Sequence, residues 1–265
     1  MIIFPPAKVN LGLNVLSKRS DGYHAIETCM LEVPLCDVLE IQKSDVFQFK
    51  STGLEINGSH EENLCVLAFR MLENEHNLSS VYIHLRKIIP MGAGLGGGSS
   101  DATSILLGLN ELFELNLSDE KLESYASRLG SDCAFFVKGG SQLGSGRGER
   151  LNPISIDLSG KFLKLINPEI HIGTSEAYSN VHFIDSYSIA DALKNPIASW
   201  KDQLQNSFEE FAFKAHPVLN EIKKAMYDEG ALFAAMSGSG STLFGIYKEE
   251  PELTSAYESE WVFEL

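Results

Sequence analysis

From Pro90 to Asp101 the chain reads Pro-Met-Gly-Ala-Gly-Leu-Gly-Gly-Gly-Ser-Ser-Asp, with glycine at positions 92, 94, 96, 97 and 98. Such density strips side chains from one face of the backbone and permits positive φ wherever a turn needs it. Bare amides can then converge on an anion. Upstream, Val81 to Ile89 carries β-branched residues in partial alternation and reads as a strand. Downstream, Ser99 to Phe113 reads as a helix, apolar at Ile105, Leu106, Leu109, Leu112 and Phe113. Strand, glycine loop and helix N-terminus in that order form a cradle for phosphate. Ser99 and Ser100 add hydroxyls at the helix start, suited to capping it or to reaching a metal or a phosphate oxygen.

Other readings of the loop fare worse. A plain mobile turn has no use for so many glycines, each costing about 1 kcal/mol in a helix it joins. A Walker loop ends in Gly-Lys-Ser/Thr, and no lysine follows these glycines. The dinucleotide pattern G-x-G-x-x-G does match Gly92, Gly94 and Gly97, but it calls for an acidic residue about 20 positions on, at the next strand end. Asn110, Glu111 and Glu114 fall in or at the end of the helix instead. The chain also does not continue as alternating strands and helices.

The 265 residues suit one large or two modest domains, and 44% hydrophobic content is enough for a core. A net charge of −15 argues against nucleic acid as a bulk partner, though not against a single nucleotide held locally. No stretch reaches the roughly 20 apolar residues of a membrane span. The opening Met-Ile-Ile-Phe-Pro-Pro-Ala-Lys lacks the pattern of a signal peptide. Cys29, Cys36, Cys65 and Cys133 lack metal spacing and read as reduced, mostly buried thiols of a cytoplasmic protein.

Along the chain, Ile2 to Leu16 reads as a strand in which Lys8 and Asn10, two apart, share a face; solvent exposure on an edge strand would explain the pair equally well. Asp21-Gly22 sets a tight turn that presents Tyr23 and His24 side by side. Met30 to Gln42 and Val46 to Lys50 read as strands. Asn63 caps a helix through His76 whose expected buried stripe is Leu64, Leu67, Ala68, Met71 and Leu72. Ser118 caps a further helix, closed by Gly130. Asp132 then stands among apolar neighbours, either as a helix cap or as a carboxylate aimed into a cleft. The glycines from Gly139 to Gly148 read as hairpin punctuation. The texture changes around Pro153 to Gly160, which predicts domains at 1–155 and 156–265. Phe162 to Asn167 reads as a strand, Thr174 onward as a helix carrying Tyr178, and further helices run to Tyr227, broken near Pro196 and Pro217. Strands Ala231 to Met236 and Thr242 to Tyr247 flank the tight loop Ser237-Gly-Ser-Gly-Ser241, giving a hairpin over helices and an α+β class. That loop is either a flexible turn or a second amide nest.

Three separated segments, Pro6-Ala7-Lys8-Val9-Asn10-Leu11, Pro90 to Asp101 and Met236 to Ser241, together resemble the three motifs of the GHMP small-molecule kinases. Lys18 to His24 and Leu129 to Phe136 resemble the branch of that family that acts on a cytidine-diphosphate-linked alcohol. The resemblance implies an α+β, two-domain fold: an N-terminal domain like the second domain of ribosomal protein S5, then an α+β C-terminal domain. It implies ATP and Mg²⁺ as cofactors. It also implies phosphorylation of the 2-hydroxyl of a cytidine-diphosphate-linked methylerythritol in isoprenoid precursor synthesis, by a cytoplasmic monomer or homodimer. The competing expectation within the family is a homoserine, mevalonate or sugar kinase. By resemblance, Asp132 is the catalytic aspartate and Lys8 its lysine partner. Pro90, Met91, Gly92, Ala93, Gly94, Leu95, Gly96, Gly97, Gly98, Ser99 and Ser100 form the ATP phosphate loop, with Ser100 also a candidate metal ligand. Asn63 lies near the adenine. Asn10, Tyr23, His24 and Tyr178 face the substrate, Tyr23 and Tyr178 stacking on cytosine while His24 reads its edge. Position 101 departs from the pattern: it is Asp where many members have Asn, an extra carboxylate expected either to suit Mg²⁺ or to cap the helix.

Overall fold

The computed structural model describes residues 1–184, 188–254, 256–257 and 259–265. In chain order the first elements are β1 (Ile2–Ile3), β2 (Pro6–Lys18), β3 (His24–Cys36), β4 (Val38–Lys43), β5 (Gln48–Gly53), α1 (Leu64–His76), β6 (Val81–Lys87), α2 (Gly97–Leu112), α3 (Asp119–Leu129) and α4 (Phe135–Lys138). They are followed by β7 (Ser141–Ser145), β8 (Arg150–Pro153), β9 (Phe162–Asn167), α5 (Thr174–Ser179), α6 (Ile189–Ala192), α7 (Glu209–Ala215), α8 (Pro217–Asp228), β10 (Phe233–Met236), β11 (Leu243–Tyr247) and β12 (Ser259–Glu264).

The chain divides into two compact units, and neither is one continuous stretch. Unit 1 holds Met1–Lys8, Pro34–Met91 and Gly96–Gly139; unit 2 holds Val9–Val33, Gly92–Leu95 and Gly140–Leu265.

Unit 1 is a four-stranded sheet, β1-β4-β6-β5, in which β5 alone runs parallel to its neighbour. Helix α1 packs on α2, and α2 on β4 and α3. The alternation of β4 and β6 buries Leu39, Ile41, Val81, Ile83 and Leu85. On α2 the expected residues Ile105, Leu106 and Leu109 are fully buried. On α1 the stripe is rotated from the expected one. Cys65, Val66, Ala68, Phe69 and Leu72 are buried, while Leu67 is 41% exposed. Phe69 is the larger apolar body, and turning it inward carries Leu67 to the surface.

Two expected strands are interrupted. Ile2 to Leu16 is broken before Pro6, where neither of two successive prolines has an N–H to donate to a ladder. Met30 to Gln42 is broken at Asp37, so that β3 and β4 belong to different sheets. Asp37 is completely buried, and a buried carboxylate must be satisfied. Its Oδ1 accepts the Ile88 and Ile89 amides and its Oδ2 the Lys87 ammonium, and its own amide donates to the Pro5 carbonyl. That set of bonds takes position 37 out of any sheet ladder.

Unit 2 contains the antiparallel pairs β3–β7 and β7–β8 of a sheet ordered β2-β3-β7-β8, and an all-antiparallel sheet ordered β10-β11-β9-β12. The expected β10–β11 hairpin is present, and α8 packs over it. The C-terminal strand β12, which the sequence left unassigned, adds to the far edge beside β9. Leu13, Val15, Ile166, Phe208, Leu219, Ile222, Met226, Ala234 and Leu243 share one core. Lys164 on β9 is fully buried, its ammonium held by Glu229 at 2.9 Å, Glu260 at 3.0 Å and the Glu252 carbonyl at 2.9 Å. Three oxygens make burial of that charge tolerable.

Candidate active site

In unit 1, Lys8 at the start of β2 is buried, and its Nζ lies 3.3 Å from Asp132 Oδ2. The Asp132 side chain keeps 39% exposure, so the pair has one dry member and one that solvent or a ligand can reach. Asp132 sits in the turn that leads into α4 and is not its N-cap; that position is Ala134. The Lys8 stem runs against the glycine loop. A Cβ placed on Gly96 would lie 3.1 Å from Lys8 Cγ and Cε and 3.0 Å from Phe136 Cζ. The lysine, the aspartate and the loop glycine thus meet, though 124 positions separate the first two in sequence.

Gly96 has φ +70° and is the N-cap of α2, and no side chain caps that helix. The first amides of α2 therefore keep no intrahelical acceptor and face outward at the positive end of a 16-residue dipole. Gly92 and Gly94 also have positive φ, at +63° and +80°. Alternating backbone signs of this kind turn successive N–H groups to one side, forming an anion nest. Pro90, Ala93, Leu95 and Gly97 are wholly or partly buried as the footing of the loop, whereas Met91, Gly92 and Gly98 are exposed. Ser99 is half-buried; Ser100 is fully buried, with its hydroxyl lacking any protein partner.

In unit 2 the Ser237–Ser241 loop packs on Gly94. Ser237 Oγ donates to the Gly94 carbonyl at 2.8 Å, and Thr242 N donates to the Ala93 carbonyl. A Cβ on Gly94 would fall 1.9 Å from the Ser237 carbonyl oxygen, so only glycine fits there. Asn206 braces the same loop, donating to the Met236 and Gly238 carbonyls at 2.7 and 2.8 Å. No sequence signal singled out Asn206; it follows Gln205 in an irregular segment and acts only through its fold position. Asn10 donates to Thr28 Oγ1 at 2.8 Å, and that hydroxyl donates to the Gly12 carbonyl at 2.6 Å. Because its single proton is committed to Gly12, Thr28 can only accept from Asn10, which fixes the amide's orientation.

Also in unit 2, Gly22 at φ +86° closes the expected turn, and Asp21 accepts the Tyr23 amide. The His24 ring stacks on Tyr178, with centroids 4.9 Å apart and planes 22° from parallel. Tyr23 is 55% exposed with the Arg147 guanidinium 4.7 Å above its ring. Arg147 was another residue the sequence did not mark. Asn63, in unit 1, caps α1 by accepting the Cys65 amide at 2.9 Å. None of the four cysteines is in a disulfide; burial pushes the Cys29 thiol up to about 12 and Cys133 to about 11.

Asp101 takes neither expected role. It is buried in unit 1, and its Oδ2 accepts from Lys87 Nζ at 2.7 Å, while Lys87 also reaches Asp37 Oδ2 at 2.5 Å. Its position, a full turn into α2, turns it inward rather than toward the helix cap. Burial opposes the Lys87 charge, but the two carboxylates together outweigh it and hold its pKa above the usual lysine value. Burial pushes Asp101 up to about 7, with Lys87 pulling downward and Asp37 pushing upward.

Family models for the GHMP kinase N-terminal domain and C-terminal domain match residues 63–140 and 188–259. This chain belongs to the GHMP kinases. It has the family's two-domain fold of mixed helices and sheets. It is 46% identical to a 4-diphosphocytidyl-2-C-methyl-D-erythritol kinase of Bacteroides thetaiotaomicron, over 98% of this chain and 96% of the relative. It is 48% identical to the kinase of the same name from Cytophaga hutchinsonii, over 95% of this chain and 94% of that one. Among solved structures it resembles a 4-(cytidine 5'-diphospho)-2C-methyl-D-erythritol kinase with TM-score 0.85 and 32% identity, covering 99% of this chain and 98% of the other. A homoserine kinase from Cytophaga hutchinsonii shares the fold at TM-score 0.72 and 20% identity. As a GHMP kinase the chain has helices none of which, among the described residues, is long and apolar enough to cross a membrane.

Two outcomes are expected from this geometry. Gly94→Ala places a methyl group inside the Ser237 carbonyl and forces an L-residue to positive φ, costing about 2 kcal/mol or more; urea unfolding measures it. Asp101 in the folded kinase holds a proton that an unfolded aspartate loses near pH 4. Stability contributed by this group is therefore complete below about pH 4 and is lost as pH rises toward about 7, with a slope of at most about 1.4 kcal/mol per pH unit. Urea midpoints measured across that window should converge on those of Asp101→Asn at the acid end and fall below them at pH 7; parallel curves would assign the titration elsewhere.

Proposed function

We propose that this chain transfers the γ-phosphoryl group of ATP to the 2-hydroxyl of 4-diphosphocytidyl-2-C-methyl-D-erythritol, as a cytoplasmic enzyme of isoprenoid precursor synthesis. The observation that carries the chemistry is the 3.3 Å Lys8–Asp132 pair lying against Gly96, at the head of an uncapped helix. The full-length relatives named for that activity supply the substrate.

Phosphoryl transfer through a loose transition state asks mostly for positioning and charge neutralisation. The amides of Gly92 to Ser99 and the α2 dipole hold the nucleotide phosphates. Asp132 aligns the acceptor hydroxyl and takes its proton, at a reach near 3 Å. Lys8 keeps that carboxylate oriented, and its buried stem permits only a short excursion. Asn63 lies by the adenine, and Asn10, oriented by Thr28, meets the substrate alcohol.

The residues fit a Mg²⁺ ion that arrives with the nucleotide. The half-exposed Asp132 carboxylate and the unpartnered Ser100 hydroxyl are hard oxygen donors at the loop. Among the described residues there is no three-residue His, Cys, Asp or Glu cage, and a nucleotide-borne Mg²⁺ needs none, since phosphates and water complete its shell. When bound, such an ion would supply positive charge to neutralise the nucleotide phosphates.

Tyr23, His24 and Tyr178 recognise the cytosine. The His24–Tyr178 stack and the exposed face of Tyr23 offer flat surfaces worth about 1–3 kcal/mol per stacked base. A plain alcohol substrate would leave these rings without a task.

ADP release assayed against a panel of alcohols tests the reading. Turnover is expected with the cytidine-diphosphate-linked methylerythritol and not with homoserine or mevalonate. CDP should compete with that substrate; no competition would favour a plain alcohol. Asp132→Asn should lower turnover by about 10²-fold or more while ATP affinity stays near the parent's, and parental turnover would remove Asp132 from the mechanism.

A further inference from the structure

Lys87 lies directly before the segment that enters the phosphate loop, and Asp101 lies directly after the loop, in the second turn of α2. All three members of the cluster Asp37, Lys87 and Asp101 are buried to within 2% in unit 1. No aspect of phosphoryl transfer described above uses them. A solvent-free ammonium with two carboxylates is a costly arrangement, and an apolar trio of similar volume would often be as stable.

The bonds of the cluster have a particular layout. Asp37 Oδ1 accepts the amides of Ile88 and Ile89, the two residues that lead into Pro90. Asp37 Oδ2 and Asp101 Oδ2 share Lys87 Nζ, at 2.5 and 2.7 Å. Lys87 Nζ also passes beneath the first residue of α2: a Cβ on Gly97 would be 2.9 Å from it and 2.8 Å from Ile89 Cγ2. The strand end before the loop and the helix start after it are therefore tied through one lysine, which reaches Gly97 only because that residue has no side chain.

We propose that Asp37, Lys87 and Asp101 form a positioning clamp that fixes the span between the two ends of the phosphate loop, and so pre-organises its amides for the nucleotide triphosphate. The side chains of all three are buried. They act through the loop backbone, which a rigid clamp holds in its binding shape before the anion arrives; without the clamp, nucleotide binding must order the loop itself. The inference rests on the reading of this loop as the ATP phosphate site.

The test compares Asp101→Ala and Asp101→Asn with the parent. The asparagine keeps an oxygen for Lys87; the alanine removes it. In folded protein, Asp101→Ala should raise both the ATP KM and the calorimetric dissociation constant of a non-hydrolysable ATP analogue about ten-fold, with kcat at saturating ATP within about three-fold of the parent. Asp101→Asn should return both constants to within about three-fold. Should Asp101→Ala fail to fold, Asp101→Thr fills similar space while drawing its oxygen back from Lys87, and the same rise is expected. A variant that melts lower yet binds the analogue with the parental constant would make the cluster structural only and overturn the clamp. A parent that does not bind the analogue at all would instead overturn the proposed function, so the two failures are distinguishable.

Discussion

Close approach to a backbone without side chains is the constraint on which this kinase is built. At Gly96 the aliphatic stem of Lys8 passes where a Cβ would be, at Gly94 a carbonyl of the Ser237 loop does so, and at Gly97 the ammonium of Lys87 does. At Gly94 the contact is with backbone and excludes any larger residue, whereas at Gly96 and Gly97 a side chain would have to give way. The same bareness that uncovers the loop amides on one side admits these neighbours on the other. The glycines thus serve packing as well as leaving the loop amides uncovered.

Charge is distributed unevenly around that backbone. Lys8 and Asp132 form a pair with one buried and one accessible member, an arrangement suited to a group that must meet substrate yet keep its orientation. Lys87 with Asp37 and Asp101 is buried throughout. The first pair is suited to reacting atoms, the second cluster to holding shape. Lys164, enclosed by carboxylates and a carbonyl in unit 2, shows the same economy applied to joining β9 with the C-terminal strand region.

Much of the fold was legible from local pattern. The capping residues Asn63 and Ser118, the β9 strand and the hairpin around Ser237 lie where turn chemistry and periodicity put them. The candidate site was legible where a residue was locally odd: a lone Asp132 among apolar neighbours, Lys8 on an apolar strand, a Tyr-His pair after Asp-Gly. Local pattern failed where a partner came from far along the chain. Asp37 looked like one polar position in a long strand, and its break is imposed by Lys87 and the amides of Ile88 and Ile89. The stripe on α1 turned because Phe69, rather than Leu67, was buried. Thr28, Asn206 and Arg147 went unmarked because nothing in their neighbours' identities announces what they hold.

By itself the sequence determined that there is a bare glycine loop between a strand and a helix, because glycine spacing and apolar periodicity are properties of adjacent residues. It also determined the chemical types at hand: a lysine, an aspartate, aromatic rings and a strongly acidic net charge. Only the tertiary structure decided that Lys8 meets Asp132, that strands from residues 9–33 pair with those after residue 140, and that Asp101 faces a buried lysine instead of the loop's anion. Those outcomes depend on which distant groups share a desolvated space, and a buried charge takes whichever partner the fold brings within hydrogen-bond reach.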